Sequence, residues 1–180
     1  AGKSNPGDTI KEVGNAGLRG RGGAGFPTGK KWSFTRECPE QPRYLVLNGG
    51  EDEPGSKKDR LLLEKLPHLV IEGLILAAYG VGAAKAYVYV NQQYETGRQS
   101  VREALGEAKA AGYWGERVQG SDFNLEIVIA EAPERAATAT GAAAETHQPS
   151  SNFLDSSAAS RTVSFESSST NFCKSAISVS

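Results

Sequence analysis

The chain reads as an α/β protein built on a parallel sheet, in the order β-α-β-α-β. Three observations predict this. Short runs rich in β-branched, aromatic or aliphatic residues recur at Tyr44–Leu47, Ala86–Val90 and Leu125–Ile129. Segments with helical patterning separate them, over Leu69–Val81 and Val101–Ala111. Each separator is long enough to serve as the crossover that parallel neighbours need.

The elements follow in chain order. Asp8 caps a short predicted helix over Thr9–Val13, ending near Gly14. A glycine-rich loop follows, from Gly17 to Gly29. Tyr44–Leu47, bounded by Pro42 and Gly49, suits a buried strand. Pro67 sits just inside a helix start, and Leu69–Val81 is apolar nearly all round. That pattern predicts a helix packed on the sheet and covered on its outer face. Ser100-Val101-Arg102-Glu103 reads as a capping box for the next helix, with Val101, Ala104, Leu105 and Ala108 at helical spacing and Gly112 as the stop.

Composition sets limits. The 180 residues leave room for one domain, or one and a half at most. Lys plus Arg is 20 and Asp plus Glu is 21, so the net charge is −1 and no nucleic-acid partner is expected. No apolar run approaches about 18 residues, so no transmembrane helix and no direct membrane insertion are expected. Cys38 and Cys173 are too few for a disulfide framework or for a cysteine-ligated cluster held by this chain alone. Methionine is absent even at position 1, and no signal-peptide pattern stands at the start; a processed or partial chain is expected. All but one of the 21 glycines precede residue 135, and an Ala/Ser/Thr-rich stretch follows. The chain therefore divides into a folded domain over 1–135 and a tail over 136–180, read as irregular or disordered.

The richest stretch runs Gly17-Leu18-Arg19-Gly20-Arg21-Gly22-Gly23-Ala24-Gly25-Phe26-Pro27-Thr28-Gly29-Lys30-Lys31-Trp32. Glycines let backbone N–H groups converge on one ligand. Arg19, Arg21, Lys30 and Lys31 add cations, and the combination makes a phosphate cradle. The loop precedes the first strand, so it is not an ordinary dinucleotide fingerprint. Phe26, Trp32 and Phe34 are either core aromatics or faces on which a planar ring stacks; spacing does not separate the two. Asn48-Gly49-Gly50-Glu51-Asp52-Glu53-Pro54-Gly55 follows the first strand. Ligands of open α/β sheets bind at this end of the strands. Asp59-Arg60 reads as an ion pair or a helix-end device, and His68 as a hydrogen-bonded structural histidine.

These residues together resemble the flavoprotein subunit of respiratory complex I. They are equally similar to the diaphorase subunits of NAD-dependent hydrogenases and formate dehydrogenases. The glycine block carries most of the resemblance, with Lys31-Trp32-Ser33-Phe34, Glu53-Pro54-Gly55-Ser56, Lys58-Asp59-Arg60 and Pro67-His68-Leu69-Val70-Ile71-Glu72-Gly73 after it. It covers roughly residues 10 to 131.

The resemblance implies a Rossmann-like domain that binds FMN and NADH, with a hydride passing from NADH to FMN and electrons passing on to a [4Fe–4S] cluster. It implies that Gly20, Arg21, Gly22, Gly23 and Lys31 lie along the FMN, that Asn48 and Glu51 reach the flavin side, that Phe26 and Phe34 stack on the NADH adenine, and that Glu53 hydrogen-bonds NADH. No side chain is implied as acid or base. Partners would be iron–sulfur subunits of an electron-transfer complex, since the family's cluster ligands have no counterpart here. The location implied is peripheral, on the cytoplasmic or mitochondrial matrix face of a membrane, or soluble in a hydrogenase or formate dehydrogenase. Relatives usually carry Asn-Ala-Asp-Glu at the acidic turn, where Gly50 here replaces the aspartate. After Arg135 the flavin-pocket pattern is absent, which makes a truncated member with an unrelated ending the expectation. A non-catalytic nucleotide-binding or assembly fragment of such a subunit is the alternative.

Overall fold

The computed structural model describes residues 5–21, 24–51, 55–132 and 177–178. Within them, three strands and five helices alternate around a four-stranded parallel sheet completed by a short strand near the C-terminus.

Helix α1 (Pro6–Asn15) is capped by Asn5, one turn earlier than the sequence predicts. Asn5 Oδ1 accepts the Asp8 N–H at 3.0 Å, and Asp8 Oδ2 accepts the Asn5 N–H at 3.3 Å. Asp8 is thus the third helical residue of a capping box, and Pro6 at the helix start has no N–H to lose.

Helix α2 (Thr28–Glu37) lies where the sequence predicts the end of a loop. Its composition favours no helix, and Pro27 gives it no side-chain cap. Burial holds it instead: Gly29, Trp32 and Thr35 face inward. A Cβ on Gly29 would lie 2.7 Å from Gly14 Cα, so the two helices meet backbone to backbone.

The strands fall where expected, each slightly shifted or extended: β1 (Tyr44–Gly49), β2 (Lys85–Asn91) and β3 (Glu126–Ala132). The register aligns Leu45 with Ala86 and Ile127, and Leu47 with Val88 and Ile129. Leu45, Leu47, Ala86, Val88, Val90 and Ile127 belong to the core, while the alternate residues of β2 are half-buried. The sheet order is β3-β2-β1-β4, and β4 (Ile177–Ser178) pairs in parallel with Leu45 and Val46. The rest of the segment expected to be irregular, over 136–180, lies outside the described residues.

Two helices make the first crossover. Helix α3 (Lys58–Lys65) precedes α4 (Pro67–Val81), and only α4 is legible in the sequence. Asp59 bonds Lys58 Nζ at 2.9 Å and Arg60 bonds Glu64 at 2.8 Å, so each uses a partner other than its neighbour in the expected pair. Pro67 opens α4 as predicted, and Gly82 closes it at φ +73, donating to the Ala78 carbonyl. Arg36 and Arg43 donate to the last carbonyls, Gly80 at 2.8 Å and Val81 at 3.3 Å. The outer face of α4 is not covered as expected: Leu69 and Leu76 remain exposed while Ile71, Leu74 and Ala78 are buried.

Helix α5 (Glu95–Ala110) begins well before Ser100, which lies in its interior and caps nothing. The chain turns earlier because the Tyr94 N–H bonds the Asn91 carbonyl at 3.0 Å and the buried Gly97 packs on Leu63. Val101, Ala104 and Leu105 are buried as the spacing predicts, and Gly112 ends the helix at φ +74. His68 meets Glu107 at 2.7 Å, an exposed link between α4 and α5.

The Gly14–Gly29 approach leaves no room for a methyl on Gly29. Gly29→Ala should lower the unfolding free energy by about 1–3 kcal/mol, because the helices must separate. Gly14→Ala, whose Cβ meets nothing within 4 Å, should cause no loss. Urea unfolding of both variants checks this; equal stability of the two would show that α1 and α2 are not in contact through these residues.

Candidate functional site

The glycine loop is closed by its own ends. The Gly20 N–H donates to the Phe26 carbonyl at 2.9 Å, and the Thr28 N–H donates to the Leu18 carbonyl at 2.9 Å. Arg19 Nη1 reaches across to the Gly25 carbonyl at 3.0 Å. Arg19 therefore braces the loop, while Arg21 stands exposed beyond it. Gly17 at φ +66 and Gly25 at φ +59 take the left-handed conformation that starts and closes the excursion. Gly22 and Gly23 lie outside the described residues.

The aromatic alternatives separate cleanly. Trp32 is 5% exposed and packs on Gly80, where a Cβ would meet its ring at 3.2 Å. Phe26 and Phe34 are 42% and 47% exposed, so both present surface to a ligand or partner. Lys31 is half-buried in the first turn of α2, and burial lowers its pKa. A desolvated ammonium of this kind gains from an anion placed beside it.

The second group of residues stands at the carboxyl end of β1. Asn48 is exposed, and its Oδ1 accepts the Gly50 N–H at 3.0 Å. A Cβ on Gly49 would lie 2.9 Å from Leu63 Cδ1 and 3.1 Å from the Tyr89 carbonyl. On Gly50 it would lie 3.1 Å from Asn48 Oδ1 and 3.2 Å from the Tyr89 ring. The chain passes so close to β2 and α3 that a side chain must displace a neighbour at either position.

Glu51 then turns the chain at φ +49, a left-handed conformation that favours glycine. Its carboxylate points inward. Oε1 accepts from Ser56 Oγ at 2.8 Å and from the Asp59 N–H at 3.1 Å. Oε2 accepts from the Arg60 N–H at 3.2 Å and from the Tyr94 hydroxyl at 3.3 Å. Glu51 thus caps α3, whose own N-cap residue Lys57 offers no side-chain bond. Burial pushes the Glu51 carboxyl up, but the bonds from Ser56, the Arg60 and Asp59 amides and Tyr94 outweigh it and hold the group below its ordinary value. Both oxygens are engaged within the protein; the family resemblance implies that this residue reaches the flavin side. Glu53 lies outside the described residues.

Three residues that bond the turn after β1 escape the sequence reading. Ser56 and Tyr94 hold Glu51, and Asn91 Nδ2 donates to the Gly50 carbonyl at 3.4 Å. Asn91 ends β2 on the same edge of the sheet as Asn48, and that placement is the one signal that points to it. Among the described residues no cluster of His, Cys, Asp or Glu suits a metal ion. No described helix is long and apolar enough to cross a membrane.

Comparison with known proteins supplies the deciding observation. The family described as Nuo51 FMN-binding domain matches residues 13–144. The chain belongs to that family.

The match runs past residue 135, where the composition changes. An NADH-quinone oxidoreductase subunit of Aquifex aeolicus (strain VF5) is 49% identical over 125 residues, covering 69% of this chain and 29% of the relative. An NADH-quinone oxidoreductase subunit of Rhizobium meliloti (strain 1021) is 45% identical over 128 residues, covering 71% and 30%. The family member described here therefore spans about three tenths of the length of these relatives. Among solved structures, an NAD+-reducing [NiFe]-hydrogenase in the air-oxidized state superposes with a TM-score of 0.61 at 39% identity, covering 71% of this chain and 20% of that one.

The lowered Glu51 pKa has a signed consequence. Folding favours the ionised carboxyl, so its contribution is fully present above the ordinary glutamate value. It is lost as pH falls through the lowered folded value. Glu51→Gln should reduce stability at pH 7, and the gap to wild type should close in acid below that folded value. Urea unfolding across pH checks it; a gap unchanged in acid would mean that the charge does not hold α3.

Proposed function

We propose that this chain is the FMN- and NADH-binding part of an electron-transfer subunit, in which a hydride passes from NADH to FMN and electrons leave for iron–sulfur partners. Membership of the Nuo51 FMN-binding domain family supports the cofactor, and the names of the relatives support NADH as the donor. One structural observation carries the site. An exposed arginine, a half-buried lysine and a glycine-braced loop provide cations and backbone donors, while β1 ends on two glycines with no room for side chains. That donor set fits a phosphate-bearing planar cofactor.

Arg21 and Lys31 would hold the FMN phosphate and ribitol, with Gly20, Gly22 and Gly23 lying along the cofactor. Asn48 would offer its exposed carboxamide to the flavin side. Phe26 and Phe34 would take the adenine of NADH, and Glu53 would accept a hydrogen bond from it. Glu51 contributes from behind, by fixing the turn on which Asn48 and Gly50 stand. FMN, when bound, supplies the exchange between two-electron and one-electron chemistry, which no side chain here provides. The protein's part is alignment: cations fix the phosphate, aromatic faces fix the adenine, and the bare strand end admits the ring. No described residue need act as general acid or base.

The chain divides, on this reading, into a nucleotide-binding domain over 1–135 and a tail over 136–180 of separate character. Iron–sulfur subunits would receive the electrons; the naming of the relatives as subunits of NADH-quinone oxidoreductases supports partners in an electron-transfer complex. The subunit then sits peripherally, on the cytoplasmic or matrix face of a membrane, or within a soluble assembly of the hydrogenase kind. The inward commitment of both Glu51 oxygens favours one alternative, a nucleotide-binding module without turnover. NADH-dependent thermal stabilisation without flavin retention distinguishes it.

Arg21→Ala and Lys31→Ala should each weaken FMN binding about tenfold or more, the size expected for a bond between a charged donor and a phosphate. Quenching of FMN fluorescence on titration reads this. Glu53→Gln should raise the KM for NADH and leave FMN affinity unchanged. Lost flavin with an unchanged KM would reverse the two assignments.

A further inference from the structure

We propose that Tyr94 and Asn91 are positioning residues of the nucleotide site: the turn that leaves β2 sets the conformation of the turn that leaves β1. This rests on the reading of the β1 end as the flavin side of the site.

The observations are geometric. Glu51 is not glycine, yet it holds φ +49, a conformation that persists only where the surroundings impose it. Three of the four bonds that impose it come from the chain just downstream: Ser56 and the first-turn amides of α3. These are local and travel with the loop. The fourth comes from Tyr94, which stands at the start of α5 and lies 43 residues away in sequence. One residue back, the Gly50 carbonyl receives Asn91 Nδ2 at 3.4 Å. The orientation of that carboxamide is itself fixed, because Asn91 Oδ1 accepts the Gln93 N–H at 2.9 Å. The same tight turn bonds the Tyr94 N–H to the Asn91 carbonyl at 3.0 Å. Residues 91–94 therefore grip two successive residues of the β1 exit, one by its carbonyl and one by its carboxylate.

The grip has a direction toward the site. Gly50 bonds Asn48 through its N–H and Asn91 through its carbonyl, so the residue links the clamp to the exposed Asn48 carboxamide at the strand end. The Tyr94 ring is held in turn, with the Arg60 guanidinium 5.8 Å from its centroid. Loosening Tyr94 leaves Glu51 with its α3 bonds but frees the turn to rotate about them, and Asn48 moves with it. The effect falls on ligand affinity more than on the fold, because the core residues of β1 and β2 are untouched.

The test uses the full chain with Tyr94→Phe and Asn91→Ser, each read by FMN titration, urea unfolding and amide exchange at Gly50 and Glu51. Tyr94→Phe keeps the ring and removes only the hydroxyl. The expected result is a rise in FMN Kd of about fivefold, the scale of one hydrogen bond to a carboxylate at this length. The unfolding midpoint should fall by no more than the loss of that one bond to Glu51, with exchange through the β1 and β2 core unchanged, while exchange at Gly50 and Glu51 speeds up. Asn91→Ser should do the same. Unchanged Kd in both variants overturns the proposal. A Kd change accompanied by faster exchange throughout β1 and β2 also overturns it, since the residues would then be merely structural. If wild type binds no FMN, the flavin reading fails, and the proposal for the nucleotide site fails with it; faster exchange in the variants would still show the clamp itself to be real.

Discussion

The carboxylate of Glu51 ties together three elements at the carboxyl edge of the sheet. Glu51 leaves β1 in a left-handed turn, its carboxylate caps the N-terminus of α3, and it takes a hydrogen bond from Tyr94 at the start of α5. The parallel sheet requires crossovers that leave at its carboxyl edge, and each crossover helix brings unpaired N–H groups to that edge. One ionised side chain satisfies two of them and anchors the turn at the same time. The cost is a non-glycine residue in an unfavourable backbone conformation, at the edge where α/β sheets bind ligands. The left-handed Glu51, the crowded glycines before it and the bonds that hold it all belong to one strand-to-helix turn.

The glycines act in two ways along this chain. Gly29 and Gly49 permit contact: a helix against a helix, and a strand end against α3 and β2. Gly17 and Gly25 permit curvature, opening and closing a loop that Arg19 then braces. In the first case the substitution of any side chain forces atoms apart, and in the second it forces the backbone into strain. The two uses meet in a single stretch, which is why Gly17, Gly25 and Gly29 cannot be replaced without moving α1, α2 or the loop.

Much of this is legible in the sequence, for identifiable reasons. The strands announce themselves because buried parallel strands need continuous apolar or β-branched residues, and Tyr44–Leu47 and Ala86–Val90 supply them. Pro67 and Gly112 mark a helix start and a helix end because each lacks something the interior of a helix demands. Helix α2 escapes notice because its sequence carries weak helical preference, and tertiary contacts through Gly29 and Trp32 hold it; α3 is rich in helix formers but only two turns long, and its cap, Glu51, lies seven residues before it. The start of α5 is misplaced because Ser100 and Glu103 imitate a capping box, while the real start is set by a turn at Asn91–Tyr94. The aromatic ambiguity in the glycine block is beyond any spacing argument, since only packing on Gly80 tells Trp32 from Phe26 and Phe34. Residue types mark the glycine loop and the strand end as a site, but the inward direction of Glu51 depends on α3, which the sequence hides.

The chain covers about three tenths of relatives that are named as subunits of NADH-quinone oxidoreductases, and it belongs to the Nuo51 FMN-binding domain family. Whether the loop and strand end described here suffice to hold a flavin and reduce it is the claim on which the functional account stands. The most direct measurement is the visible absorbance spectrum of purified protein incubated with FMN, desalted, and then mixed with NADH under argon. The account predicts flavin bands that survive desalting and bleach when NADH is added. A colourless protein after desalting, or bound flavin that NADH leaves oxidised, would contradict it.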